Sequence, residues 1–176
     1  MSVELTGTYL TLDDGRPAVR FSRTYDHPVE RVWRFVTDAD ELAQWFPSRA
    51  EIELRPGGAI KFSGDPNLED TTARVIAVEV PRHLSFEWGG DELHFDLEAL
   101  DDKRTRFTLT NVLIAEDTAA RNGAAWEVCL AALDAWTRDE KFGGPHAGAT
   151  APWKDFYEGY VEAGVPSGAP VPGLGT

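Results

Sequence analysis

Apolar and polar positions alternate with a period of two over much of the chain, and the period changes to helical spacing in a few places. Residues 6–12 and 17–25 flank Asp13–Pro17 (DDGRP), whose Asp-Gly step predicts a hairpin, with Val19, Phe21 and Tyr25 in one phase. In DHPVERVWRFV, Asp26 or His27 can cap a helix and Pro28 suits its first turn; Val29, Val32, Trp33 and Val36 then recur at helical spacing. The next segment, DADELAQWFP (38–47), predicts a short helix. Asp38 and Glu41 resemble a capping box, and Pro47 limits the helix. It carries two large aromatics, Trp45 and Phe46, which either fill a core or stand at the mouth of a hollow.

A run of strands follows. AEIELRPGG turns at Pro56-Gly57-Gly58, AIKFSG places Ile60 and Phe62 in phase, and DPNLED (65–70) reads as loop. TTARVIAVEV runs to Pro81. RHLSFEWGG sets Leu84, Phe86 and Trp88 against His83, Ser85 and Glu87. ELHFDLEAL sets Leu93, Phe95, Leu97 and Ala99 against Glu92, His94, Asp96 and Glu98. After the Asp101–Lys103 turn, RTRFTLTNVL carries Phe107, Leu109, Asn111 and Leu113 in phase. This is the pattern of antiparallel strands with one wet and one dry face.

A long helix is predicted over 117–140, with Trp126, Cys129, Leu130, Leu133 and Trp136 as its apolar stripe and Arg121, Glu127, Asp134 and Arg138 as its polar face. Gly123 inside it suggests a close neighbour, because glycine in a helix interior costs about 1 kcal/mol relative to alanine. After a loop, Trp153, Phe156, Tyr157, Tyr160 and Val161 predict a short amphipathic helix (153–162), expected to dock on the outside; a loose Pro/Gly-rich tail should follow. A sheet with one dry face needs a cover, and only the 117–140 helix is long enough. The fold class is therefore α+β: a curved antiparallel sheet gripping a long C-terminal helix, with two short helices after the first core strand.

Composition narrows the function. The 176 residues suggest one domain. A net charge of −13 argues against nucleic acid and against an anionic membrane surface. Cys129 is the single cysteine, so neither an intramolecular disulfide nor a cysteine cluster can form. No apolar run approaches the ~18 residues of a membrane span, and MSVELTGTYL lacks a signal-peptide pattern. The expectation is a cytoplasmic protein.

The segments HPVERVWRFVTDADELAQWF, RPGG, VPRHLSFEW, RFTLTN and the helix beginning near GAAW resemble the SRPBCC (START-like) superfamily, and within it the branch named for the activator of the heat-shock-protein-90 ATPase. The resemblance covers about residues 17–140 and leaves 141–176 as an extension. It implies a helix-grip fold with a hydrophobic cavity between sheet and long helix. Members commonly bind lipids, sterols, polyketides or other apolar molecules; some are cyclases or hydrolases and some are chaperone cofactors, with a link to stress response. In many relatives the strand equivalent to RFTLTN ends in His, where this chain has Asn111, so chemistry that needs that imidazole is not carried over.

The strand phases give an independent test. An enzyme of this fold must aim ionisable groups inward. Among the inward positions only Arg23, Tyr25 and Asn111 are polar, and no carboxylate or histidine is among them. That suits a greasy pocket with a few orienting groups. The candidate lining is Tyr25, Trp45, Phe46, Phe62, Phe86, Trp88, Phe95, Phe107, Leu109, Asn111, Trp126, Leu130 and Leu133, with Arg23 as a polar anchor. No catalytic residue, metal ligand set or cofactor site is assigned; His94 and Asp96, at i, i+2 on one strand face, could supply two metal ligands but their phase reads as a solvated pair, His27, His83 and His146 read as scattered, and RPGG reads as a turn. The first reading is non-catalytic binding of an apolar molecule. A cyclase- or hydratase-type enzyme using Arg23, Tyr25 or Asn111 is the second reading. A co-chaperone-like interaction module is the third, its partner being a chaperone or a second copy of the chain.

Overall fold

The computed structural model describes residues 4–64, 69–140 and 151–170. Eight antiparallel strands form one sheet in the order β1-β2-β8-β7-β6-β5-β4-β3. They are β1 (Thr8–Thr11), β2 (Pro17–Tyr25), β3 (Arg49–Ile52), β4 (Ala59–Ser63), β5 (Thr71–Glu79), β6 (His83–Trp88), β7 (Asp91–Ala99) and β8 (Thr105–Val112). Two short helices, α1 (Val29–Thr37) and α2 (Ala39–Leu42), follow β2; a 3-10 turn (Glu116–Thr118) leads into α3 (Ala119–Thr137), and α4 (Ala151–Glu162) comes last. This is the helix-grip layout. Residues 65–68 of the expected loop, the 142–150 connection with His146, and residues 171–176 of the tail lie outside the described residues.

The local chemistry explains most boundaries. Gly15 takes φ 89 in the first hairpin, a conformation that suits glycine. The start of α1 differs from expectation: Pro28 is its N-cap, with no side-chain capping bond. His27 instead turns to the far end of α3, where Nε2 lies 2.7 Å from the Thr137 carbonyl. Half of the expected capping box forms at α2. Asp38 accepts from the Asp40 N–H at 3.0 Å. Glu41 meanwhile pairs with Arg31 at 2.8 Å and accepts from Trp136 Nε1.

One contiguous core spans the inner face of the sheet, α1, the Trp45–Phe46 segment and α3. The helix α3 is buried nearly all round, because α4 covers the side that the sheet does not. Gly123 marks that contact: a Cβ there would stand 3.3 Å from the Tyr160 ring. Ala120 and Ala124 on α3, together with Tyr160 on α4, form a second small cluster. Residues 163–170, whose composition suggests a loose tail, return along α3: the Ala120 N–H donates to the Pro166 carbonyl and Arg121 donates to the Pro170 carbonyl.

Candidate functional site

The inner face is built by alternation. Leu84 and Phe86 from β6, Leu93, Phe95 and Leu97 from β7, and Phe107, Leu109 and Asn111 from β8 all point inward and are buried, as the sequence predicts. Trp45 is fully buried and donates through Nε1 to the Phe35 carbonyl at 2.9 Å, so it is fixed as core. Its ring packs against Phe46, Phe95 and Phe107, with centroids 5.7, 5.9 and 6.3 Å away. Phe46 sits at the centre of a second group: Phe62 at 6.0 Å, Phe86 at 6.3 Å, Trp88 at 6.0 Å and Trp126 at 5.8 Å. Trp88 in turn lies 5.3 Å from Trp126. These spacings are those of rings in contact. In DADELAQWFP, then, Trp45 closes the core, while Phe46 occupies the space between β4, β6 and α3. Leu130 and Leu133 continue the α3 stripe and are fully buried.

The polar groups are where structure adds most. The inward phase of β7 begins at Asp91, two residues before Leu93, so a carboxylate does face inward. The expectation of none is corrected: the alternation that sequence shows begins at Glu92, after the Gly89-Gly90 turn, whereas β7 begins one residue earlier, at Asp91. Asp91 Oδ2 accepts from Asn111 Nδ2 at 3.0 Å and from Asn122 Nδ2 at 3.1 Å, and Oδ1 accepts from the Ile114 N–H at 2.9 Å. Asn111 Oδ1 accepts from Asn122 Nδ2 at 3.0 Å and from Trp126 Nε1 at 3.1 Å. Asn122 lies one turn before Trp126 on α3, outside the apolar stripe that the sequence pattern marks. Burial pushes the Asp91 carboxyl above its usual range, against its hydrogen bonds, which pull the other way.

Arg23 and Tyr25 form a separate group at the other end. Tyr25 donates to Asp134 Oδ1 at 2.8 Å, and Arg23 Nε lies 3.2 Å from Asp134 Oδ2. Asp134 thus leaves the expected polar face of α3 for a half-buried pair. Burial pushes the Tyr25 hydroxyl well above its ordinary value. In the β2–β8 register Asn111 opposes Val19, and Tyr25 opposes Thr105, so this group lies about 20 Å along the strand from Asn111 at ~3.3 Å per residue. The three polar residues named from the sequence therefore do not converge.

Glu127 is a second correction. It is 3% exposed rather than on a solvated face. It accepts from the backbone and hydroxyl of Thr6 and from Tyr160, whose hydroxyl also accepts from the Gly7 N–H at 3.0 Å. On the outer face of the sheet, His83 Nδ1 lies 2.7 Å from Asp96 and His94 Nε2 lies 3.2 Å from Glu92. Their rings are 5.7 Å apart, closer than their scattered sequence positions suggest. Among the described residues no group of three or more His, Cys, Asp or Glu gathers as a metal site would need. Two concavities, of about 360 and 560 Å³, lie on the outer face at β6–β8 and at the Asp101–Arg104 turn, away from the inner aromatics.

A family model described as activator of Hsp90 ATPase homolog 1-like protein matches residues 26–138. The chain belongs to that family. The match is somewhat shorter than the 17–140 segment read from sequence, leaving β1 and all of β2 outside it. The fold recurs in solved structures that are similar in shape and distant in sequence. A conserved protein of unknown function from Enterococcus faecalis, EF2215, superposes with a TM-score of 0.71 at 22% identity, over 89% of each chain. CalU16 from Micromonospora echinospora gives 0.68 at 23% identity, over 96% of this chain and all (100%) of that one. The BPP1335 protein from Bordetella parapertussis gives 0.61 at 24%, over 90% and 94%. At these identities the likeness speaks for the helix-grip fold alone. No curated protein matches the chain. Among the described residues no helix is long and apolar enough to cross a membrane.

Proposed function

We propose that this family member binds an apolar, ring-containing small molecule between the sheet and α3, without catalysing its conversion. The observation that carries the reading is the Phe46 group. Four aromatic rings from three elements, β4, β6 and α3, meet around one side chain, and that side chain sits on the irregular stretch between α2 and β3. Phe46 is held by ring contacts on a segment of turns and bends, so it is the ring that a ligand would displace most cheaply. The site would then be a pocket lined by Phe62, Phe86, Trp88 and Trp126, with Trp45, Phe95, Phe107, Leu109, Leu130 and Leu133 as its floor. The polar groups favour binding over turnover. Arg23 and Tyr25 are committed to Asp134, far from Asn111, which supports neither an acid–base pair nor an oxyanion site.

Native mass spectrometry of the protein purified from its own host tests the reading. A reproducible small-molecule adduct, lost on activation and enriched in a Phe46→Ala variant, is the expected result. A clean apo mass for both proteins, with apolar probes added, would overturn it. The rings would then be core, and contact with a chaperone, the activity the family is named for, would become the better reading.

A further inference from the structure

We propose that the ligand of this site ends in a hydrogen-bond donor, a hydroxyl or an ammonium group, and that a carboxylate end is rejected. The inference rests on the small-molecule reading above and specifies its chemistry. It comes from the polar group beside the rings, which touches them through Trp126.

The donors and acceptors of that group can be counted. An amide nitrogen has two N–H bonds and an indole has one. Asn122 Nδ2 spends both of its N–H bonds, on Asp91 and on Asn111 Oδ1. Asn111 Nδ2 spends its pair on Asp91 and, at 3.4 Å, on the Val112 carbonyl. Trp126 Nε1 spends its single N–H on Asn111 Oδ1. The orientations fix one another: the indole can only donate, so Asn111 turns its oxygen to Trp126, and the carboxylate can only accept, so both amides turn their nitrogens to Asp91. Arg121 Nε is taken by Asn122 Oδ1. Every N–H of the two amides and the indole is therefore used, Arg121 turns Nη1 to the Pro170 carbonyl, and the unused capacity among the asparagines, Trp126 and Asp91 is acceptor capacity on the Asp91 carboxylate. A ligand hydroxyl or ammonium can use it, or can replace Trp126 at Asn111 Oδ1. A ligand carboxylate would find no free donor on Asn111, Asn122 or Trp126 and would face the Asp91 carboxylate at a buried position, where like charges repel more strongly than in water. The rings of Phe46, Trp88 and Trp126 add attraction for a cation in the same place.

Three probes of one shape test this: 2-naphthol, 2-naphthylmethylammonium and 2-naphthoate, titrated calorimetrically into the wild type, Asp91→Asn and Trp126→Phe at about 0.15 M salt, where surface charge is screened beyond ~8 Å. The chain's charge of −13 would weaken naphthoate at any site, so the deciding readout is the change between variants. The expected wild-type result is naphthol and the ammonium probe binding about tenfold or more tighter than naphthoate. Asp91→Asn should shrink that ratio to within about threefold. Trp126→Phe frees a lone pair on Asn111 and should tighten naphthol without tightening naphthoate, a gain that a misfolded variant could not give. Equal binding of all three probes, or a ratio unmoved by both variants, overturns the head-group inference and leaves apolar binding standing. No binding of any probe, with Phe46→Ala included, overturns both.

Discussion

The two faces of α3 each bury a carboxylate, and they do so differently. On the inner face Asp91 reaches the helix from β7 and is held by two asparagine amides and a strand-end N–H. On the outer face Glu127 belongs to the helix itself and is held by Thr6, near the start of the chain, and Tyr160, near its end. Burial pushes both carboxyls up. The inner set ties the sheet to the helix within the family's matched segment. The outer set ties on β1's lead-in and α4, which lie outside it. The difference teaches that the same device, a buried acceptor surrounded by donors, serves a fold in one place and an added layer in the other.

The comparison predicts a graded response to mutation. Asn111→Leu should be the most damaging change, since it strands Asp91, Asn122 and the Trp126 N–H together; a loss of about 3 kcal/mol is expected from chemical denaturation, in one cooperative step. Gly7→Ala comes next. A Cβ there would lie 2.4 Å from the Tyr160 hydroxyl and 2.5 Å from Phe21, and overpacking of this kind costs about 1–3 kcal/mol. Its signature should be faster amide exchange in α4 before the sheet opens. Tyr160→Phe removes one hydroxyl and should cost about 1 kcal/mol, again read at α4. If exchange in β7 and β8 rises equally with that in α4, the two faces are not separable.

The pH dependence sharpens the contrast. A carboxyl whose folded pKa is raised contributes stability that is fully present below its unfolded value and is lost as pH rises through the folded one. Measured against Glu127→Gln, the wild type should lose stability as pH rises from the unfolded value of 4.5 upward. Measured against Asp91→Asn, the same fall should begin near 3.8. The Glu127 difference should be visible in α4 exchange, and the Asp91 difference only in global unfolding. A rise in either difference over the same range would contradict the assignment. Arg16→Ala, which breaks two surface pairs, should change stability by less than about 1 kcal/mol.

Much of this fold is legible in the sequence, because alternation and helical spacing report burial directly. The inward sets on β6, β7 and β8 and the gripped helix follow from Leu84/Phe86, Leu93/Phe95/Leu97 and Phe107/Leu109/Asn111. Gly123 also announced its neighbour, Tyr160. The polar half of the site was harder to read. Asp91 stands at a strand end beside two glycines, and Asn122 and Glu127 stand on a helix enclosed from both sides, so their polarity pointed to solvent where contact partners were waiting. Single-sequence periodicity assumes one wet face, and α3 has none to speak of. Which donors meet which acceptors depends on register between β7 and β8 and on the rotation of α3, neither of which is written in any one segment.

The most direct test of the central claim uses the six tryptophans as reporters. In a two-dimensional proton–nitrogen spectrum, 2-naphthol should shift the indole N–H signals of Trp126 and Trp88, while Trp45, tied to the Phe35 carbonyl, holds its position. Saturable shifts confined to Trp126 and Trp88 are the predicted result. Shifts at Trp153 or at the outer-face histidines, with Trp126 unmoved, would contradict it.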